Sequence, residues 1–208
     1  MTAARVVLWR HGRTAHNRDG VWQGQIDTPL DDVGVAQAGA GAAALMAGLS
    51  SPELRPQAIV ASDLVRASAT AVALAALTGL DVVLDKRLRE IHAGRWEGRS
   101  RAEIEAAGWG EEQAAWRRGD DVPAGGGERR GEVGRRGAEA VRAYAEALDG
   151  GSLVVVAHGG LLRGTILTLL GLPPAQWALL GGLGNACWAE LAPGEPRWRL
   201  LAYNLPPG

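Results

Sequence analysis

One cysteine in 208 residues has nothing to pair with inside the chain. An internal disulfide and a cysteine-built metal site are therefore excluded, and a lone thiol fits a reducing compartment. Cys187 is expected as a small core residue on a strand rather than as a nucleophile. An excess of charge is lacking too: 22 Lys and Arg face 23 Asp and Glu, for a net charge of -1. Without a basic excess there are few counterions to release from nucleic acid and little pull toward an anionic membrane, so neither is expected as a partner. An anion bound here must be gripped by arginines gathered locally. Long hydrophobic runs are also missing. The most apolar stretch, Gly159 to Leu172, carries Arg163 and is too short to span a bilayer. No N-terminal apolar stretch with a cleavage site is visible, so no signal peptide is expected and the cytoplasm is the expected location. The histidines have no i, i+4 spacing and no Asp cluster accompanies them, so no metal and no other cofactor is expected.

Glycine, in contrast, is plentiful at 30 residues, many of them inside helical patterns. Such helices must be held by packing rather than by propensity. Residues 5–10 read as a first strand, and Arg13 to Gln25 as a polar loop. Asp31 is placed to cap a helix whose apolar stripe runs through Val35, Ala38, Ala42, Leu45 and Leu49. Residues 58–61 form a second strand. Ser62 or Asp63 then caps a helix to about Thr78, apolar almost all round and so expected to be buried, and Gly79 ends it. Residues 82–84 make a third strand. Ser100 and Glu103 form a capping box, and a further short helix covers Glu111 to Arg118. Gly119 to Gly131 reads as a mobile Gly/Pro-rich loop, followed by a helix from about Glu132 to Leu148 with Val133, Val141, Tyr144 and Leu148 on one face. Leu153 to Ala157 is the strongest strand. Pro173-Pro174 opens a helical turn, and Ala186–Leu191 with Trp198–Tyr203 makes a closing hairpin joined by Ala192-Pro193-Gly194-Glu195-Pro196. The fold class expected is α/β: a three-layer sandwich with a mainly parallel sheet, helices on both faces and an antiparallel edge hairpin. A single domain is expected over 1–208, with an insertion or lid at about 91–131.

The residues that follow each apolar strand are chemically alike. The first strand leads to Arg10 and His11, the second to Arg66, the third to Glu90 and the strongest to His158. In doubly wound sheets the ligand sits beyond the carboxyl ends of the strands, where all five of these fall. Neutral imidazole is a good nucleophile at pH 7. Arg10 and Arg66 would grip phosphoryl oxygens with forked donors, with Asn17 as a neutral donor and His158, if protonated, as a third cation. Glu90 would serve as acid for the leaving alkoxide and then as base for water. The plain alternatives are a solvated helix residue for Arg66 and a surface ion pair for Glu90 within Arg87-Leu88-Arg89-Glu90. His16 and His92 are left without a role. The eight Trp are read mostly as packing, with Trp96 kept as a pocket wall.

At these residues the chain resembles the histidine phosphatase superfamily, whose fold is that of phosphoglycerate mutase. Arg10-His11-Gly12-Arg13-Thr14 with Asn17, then Ser62 to Ala67, Leu88-Arg89-Glu90 with Gly94 to Gly98, and Val156 to Gly160 match its segments in order. The resemblance implies His11 as the phosphorylated residue and Glu90 as the proton donor. It places Arg10, Asn17, Arg66 and His158 around the phosphate, with Gln23, Gly24 and Gly159 close by, and it implies no metal. The stretch between Glu90 and the second histidine is short and ends in Val122 to Glu128, which resembles the phosphatase branch more than the cofactor-dependent mutases. Trp177 to Trp188 and Trp22 to Thr28 resemble members acting on a sugar phosphate or a glucosyl-3-phosphoglycerate-like ester. The expected activity is thus a metal-independent phosphomonoesterase with a phosphohistidine intermediate. A mutase and a silent phosphate-binding module are the alternatives. Residues 119–131 and the helices from Ser100 to Arg118 are expected to form the lid. Arg117, Arg118, Arg129 and Arg130 are weighed as carboxylate contacts, with a solvated charged face as the plainer reading for most of them. A homodimer through the C-terminal hairpin is implied by resemblance.

Overall fold

The structure is a computed structural model and describes residues 2–120, 122–194 and 197–207. Glu195 and Pro196 of the expected hairpin connection, and Asp121 of the expected lid, lie outside the described residues. In chain order the elements are β1 (Arg5–Arg10), α1 (Ala15–Asp19), α2 (Asp32–Gly48), β2 (Pro56–Ala61), α3 (Val65–Thr78) and β3 (Val82–Leu84). These are followed by α4 (Arg101–Ala106), α5 (Gly110–Arg118), α6 (Arg130–Glu146), β4 (Ser152–Ala157), α7 (Gly159–Leu169), β5 (Trp188–Ala192) and β6 (Arg199–Leu205). One sheet runs in the order β3-β2-β4-β1-β5-β6. The pairs β3-β2, β2-β4 and β4-β1 are parallel, and β5 and β6 add the antiparallel edge.

The strand chosen as strongest from its apolar run lies at the centre. All six residues of β4 are buried, because β1 and β2 flank it and helices cover both faces. The two-residue period sorts each strand between two cores. Val7, Trp9, Val154 and Val156 face α2 and α3, while Val6, Leu8, Leu153 and Val155 face α6 and α7. Glycines inside the helices answer the packing expectation. A Cβ on Gly134 of α6 would stand 2.7 Å from the Gly164 carbonyl oxygen of α7, so these helices approach closely only because both positions lack side chains.

Three local expectations change. Val35 is 60 % exposed, and the buried face of α2 is instead Gly34, Ala38, Gly41, Ala42 and Leu45. The N-cap of α3 is Leu64 without a side-chain cap, since Asp63 is held by Arg89, and Val72 and Leu77 of α3 face solvent. Within the expected 119–131 loop, residues 124–128 are anchored rather than loose. Ala124 and Gly125 are buried in a 3-10 turn, and Glu128 N–H donates to the His92 carbonyl at 2.8 Å.

The register between β1 and β4 is what positions the site. Arg10 stands beside Ala157, so the next residue on each strand, His11 and His158, leaves the sheet at neighbouring points. The His11 N–H still donates to the Ala157 carbonyl at 3.0 Å.

Candidate active site

His11 is 2 % exposed, and its Nδ1 lies 2.6 Å from the Gly12 carbonyl oxygen. A carbonyl only accepts, so Nδ1 carries the proton and the Nε2 lone pair is free. Burial first, then Arg10 and Arg66, push this imidazole well below its ordinary titration range, against the weaker opposing effect of the Gly12 bond. The ring is therefore neutral at pH 7, the state a nucleophile needs. Its backbone is fixed from two sides. Gly12 N–H donates to Thr70 Oγ1 at 3.1 Å, and Asn185 Nδ2 donates to the His11 carbonyl at 3.2 Å and to Asn17 Oδ1 at 3.1 Å. A Cβ on Gly12 would meet the Gly34 carbonyl oxygen at 2.2 Å, which explains glycine after the histidine.

Arg10 and Arg66 reach the same place with donors to spare. Arg66 is fully buried at the start of α3. It donates through Nη1 to the Ile26 carbonyl and through Nη2 to the Gly24 carbonyl, each at 2.8 Å, while its Nε has no partner. Arg10 spends Nη1 on the Leu183 carbonyl at 2.5 Å and also keeps an unpartnered Nε. Burial lowers the pKa of both, and the Glu90 carboxylate opposes that in each case. His158 is 0 % exposed with neither ring nitrogen partnered, and its ring stands 5.1 Å from that of His11, centroid to centroid, at 60°. Burial, Arg66, His11 and Arg10 push its pKa well down, so His158 enters the site as a neutral imidazole and not as the third cation considered above. Buried donors left unpaired are costly. Several of them around one imidazole fit the oxygens of a phosphoryl group.

Glu90 is set by α7. Its carboxylate accepts from Ile91 N–H at 2.8 Å, Gly160 N–H at 3.0 Å and Leu161 N–H at 2.8 Å, the latter two being free donors of a helix N-terminus. The surface ion pair is ruled out by its neighbours: Arg89 holds Asp63 and Arg87 holds Asp85. Arg136 of α6 fastens this segment from behind, donating to the carbonyls of Arg87, Arg89 and Glu90 and to the Glu128 carboxylate. Glu97 joins the facing loop by accepting from Gln25 N–H at 3.0 Å and Ala93 N–H at 2.9 Å. Gly24 has φ of 52°, and a Cβ there would collide with Glu97 Oε1.

A cavity of about 370 Å³ is lined by Arg10, His11, Asn17, Gln23, Gly24, Arg66 and Glu90. Of the expected residues, His158 lies against His11 behind that wall. Gly159 lies beside Arg10, and Gly160 lines the cavity in its place. Trp96 is fully buried behind Trp22, so the aromatic walls are Trp22, Trp116 and Trp177. Cys187 precedes β5 instead of lying on it, and burial raises its thiol pKa. Sequence reasoning did not single out Thr70, Asn185 or Arg136. Thr70 reads as a helix residue, and Asn185 and Arg136 as ordinary polar positions, with no spacing signal.

The neutral state of both imidazoles has a measurable cost. In the unfolded chain each titrates near 6.5, and in the fold well below that. The unfolded chain therefore binds more protons below pH 6.5. This contribution to stability is fully present above that pH and is lost as pH falls toward the folded values. The limiting slope is about 1.4 kcal/mol per pH unit for each ring. Urea unfolding from pH 7.5 to 5 is expected to show a declining midpoint below 6.5, with a shallower decline in His158→Asn. A flat midpoint in the wild type would contradict the buried neutral pair.

The model of the histidine phosphatase superfamily (branch 1) matches residues 6–206. Over 220 residues the chain is 43 % identical to a glucosyl-3-phosphoglycerate phosphatase of Mycobacterium tuberculosis, with 98 % of this chain and 96 % of that protein covered. It is 37 % identical to a probable phosphoglycerate mutase of Yersinia enterocolitica over 175 residues, 82 % and 76 % of the two chains. The structure of a mycobacterial glucosyl-3-phosphoglycerate phosphatase complexed with VO3 superimposes with a TM-score of 0.85 at 40 % identity, covering 98 % of this chain and 100 % of the other.

Proposed function

This chain belongs to the histidine phosphatase superfamily, and from that membership we propose how its pocket hydrolyses a phosphate ester. The enzyme is a phosphoric monoester hydrolase. In the proposed first step the Nε2 lone pair of His11 attacks phosphorus, and the bond to the ester oxygen breaks. Arg10, Arg66 and Asn17 hold the phosphoryl oxygens, with Gln23 and Gly24 shaping the cradle, while His158 backs the His11 ring and Gly159 backs Arg10. Glu90, entering this step in its protonated form, gives that proton to the leaving alkoxide and is left as the carboxylate. In the second step Glu90 takes a proton from water, the water oxygen forms the new bond to phosphorus, and the N–P bond breaks to release phosphate. His11 then has its lone pair back. The observation that carries this reading is the tautomer of His11. Its Nδ1 is tied to Gly12, which leaves Nε2 for the phosphorus, beside two arginine Nε–H groups without partners.

For the substrate, we propose a sugar phosphate of the glucosyl-3-phosphoglycerate kind. The named activity of the mycobacterial relative supports this. The unit 1–208 acts as one domain in this proposal, with about 91–131 as the cover over the substrate. A cytoplasmic setting and a homodimer through β5 and β6 belong to the same proposal, supported by the free thiol of Cys187 and by Leu201, 44 % exposed on the edge strand.

The probable mutase among the relatives gives the second reading, in which the phosphoryl group returns to another hydroxyl. Mixing the enzyme with labelled 3-phosphoglycerate separates the two. Free phosphate, together with acid-labile label on rapidly quenched protein, is expected. A steady yield of 2-phosphoglycerate would establish the mutase, and no label on the protein would overturn the covalent route.

A further inference from the structure

Arg66 and Arg130 are the buried arginines among the described residues, and neither has a carboxylate within ion-pair distance. Arg66 belongs to the phosphoryl cradle. Arg130 does not. It opens α6 at 5 % exposure, and its Nε and Nη1 have no hydrogen-bond partner. Its guanidinium lies 3.9 Å from the ring centre of Trp116 and 4.7 Å from that of Trp177. Arg163 of α7 stacks on the same Trp177 at 4.6 Å. It donates Nη2 to the Trp177 carbonyl and keeps an unpartnered Nε. Burial first, then the neighbouring Arg163 charge, bring Arg130 down to about 10, against the weaker opposing pull of Asp120.

Two guanidinium groups held together with no carboxylate in ion-pair contact repel each other and give up water, and the only charge opposing this is the more distant Asp120. Stacking on indole faces offsets part of that. It leaves the in-plane N–H donors unanswered. Arg5, Arg13 and Arg136, also partly buried, are each answered by a carboxylate: Glu190, Asp31 and Glu128. This second cavity, about 410 Å³, shares Trp22, Trp116, Arg163 and Trp177 with the wall of the cavity that holds His11. The two cavities therefore adjoin along one wall, with Arg163 lining both and Arg130 lining the second.

We infer that Arg130 and Arg163, framed by Trp116 and Trp177, form a second anion subsite that takes a carboxylate of the same substrate molecule. The inference rests on the phosphatase reading and deepens it. The enzyme selects phosphate monoesters that also carry a carboxylate over neutral alcohol phosphates. A planar, singly charged group suits the three unpartnered nitrogens between indole rings. The tetrahedral dianion is served by Arg10, Arg66 and His11.

The test compares phosphate release from 3-phosphoglycerate and from its carboxyl methyl ester. A charged hydrogen-bonded contact is worth about 1.5–3 kcal/mol, or roughly 10- to 150-fold. In the wild type kcat/KM for the free acid is expected to exceed that for the methyl ester by about that factor, through KM. In Arg163→Gln and Arg130→Gln that preference falls toward unity, and Arg130→Lys restores part of it. If Arg130→Gln fails to fold, the partly exposed Arg163 and the wild-type comparison still decide. Equal use of both esters by the wild type, or a preference that survives both glutamines, overturns the subsite while the phosphatase stands. Release of phosphate from neither ester overturns the phosphatase reading and the subsite together.

Discussion

His11→Ala is expected to lower kcat on any phosphate monoester by about 10^4-fold or more, the scale on which enzymes lose turnover when a nucleophile is removed. The Nε2 lone pair of a neutral, buried ring has no substitute nearby: the neighbouring His158 ring is 5.1 Å away and meets it edge-on. Label on the quenched protein should vanish with turnover. Because His11 donates its only side-chain hydrogen bond to the carbonyl of the next residue, the fold loses little. Phosphate should still bind to Arg10 and Arg66, as a thermal shift would register. A variant that retains wild-type turnover, or retains the label, removes His11 from the mechanism.

Glu90→Gln carries the second large effect, and its size depends on the ester. An alkoxide needs a proton as it leaves, so an alkyl phosphate should lose about 10^3-fold in kcat, within the range for a positioned acid. A nitrophenolate leaves without one. With p-nitrophenyl phosphate the first step should be nearly spared while water attack is not. The variant should then release about one equivalent of nitrophenol in a burst and stall as phosphoenzyme. The amide keeps one acceptor for the N–H groups of Gly160 and Leu161 and loses the charge at the helix N-terminus, a cost of about 1 kcal/mol in stability. Equal losses on both esters with no burst would show that Glu90 does no proton transfer.

The strand ends were legible because four-residue apolar runs cannot be solvated and must be buried. Whatever polar residue follows such a run emerges at a cleft. Hence Arg10, His11 and His158 were readable from their strands, whereas β3 is three residues with Val83 and Leu84 exposed, and Glu90 and Arg66 lie several residues past their strands and were legible only as parts of the ordered set of segments. What was not readable is whatever depends on which surfaces meet. Val35 fits an apolar stripe as well as Gly34 does, but close packing against the Arg13 backbone selects the glycine. Asp63 looks like a cap until Arg89 is found 26 residues away. Trp96 is near Glu90 in sequence, whereas Trp116 and Trp177 reach the cavity from elements far along the chain. The glycines of 119–131 suggested looseness. Gly125 and Gly127 instead admit the backbones of Ala93 and His92, so they mark tight apposition. Arg130 sat among three other arginines in a charged stretch, and nothing in the order of residues says that it alone turns inward.

The pairing of β1 with β4 joins the beginning of the chain to a strand near its end. Most of the polypeptide must already have been made, and the loop between them closed, before one imidazole can find the other. Partly assembled or truncated forms therefore cannot carry out transfer. During refolding, activity should return only with the late long-range step, in register with the last protected amides of β4 and well behind the helical signal.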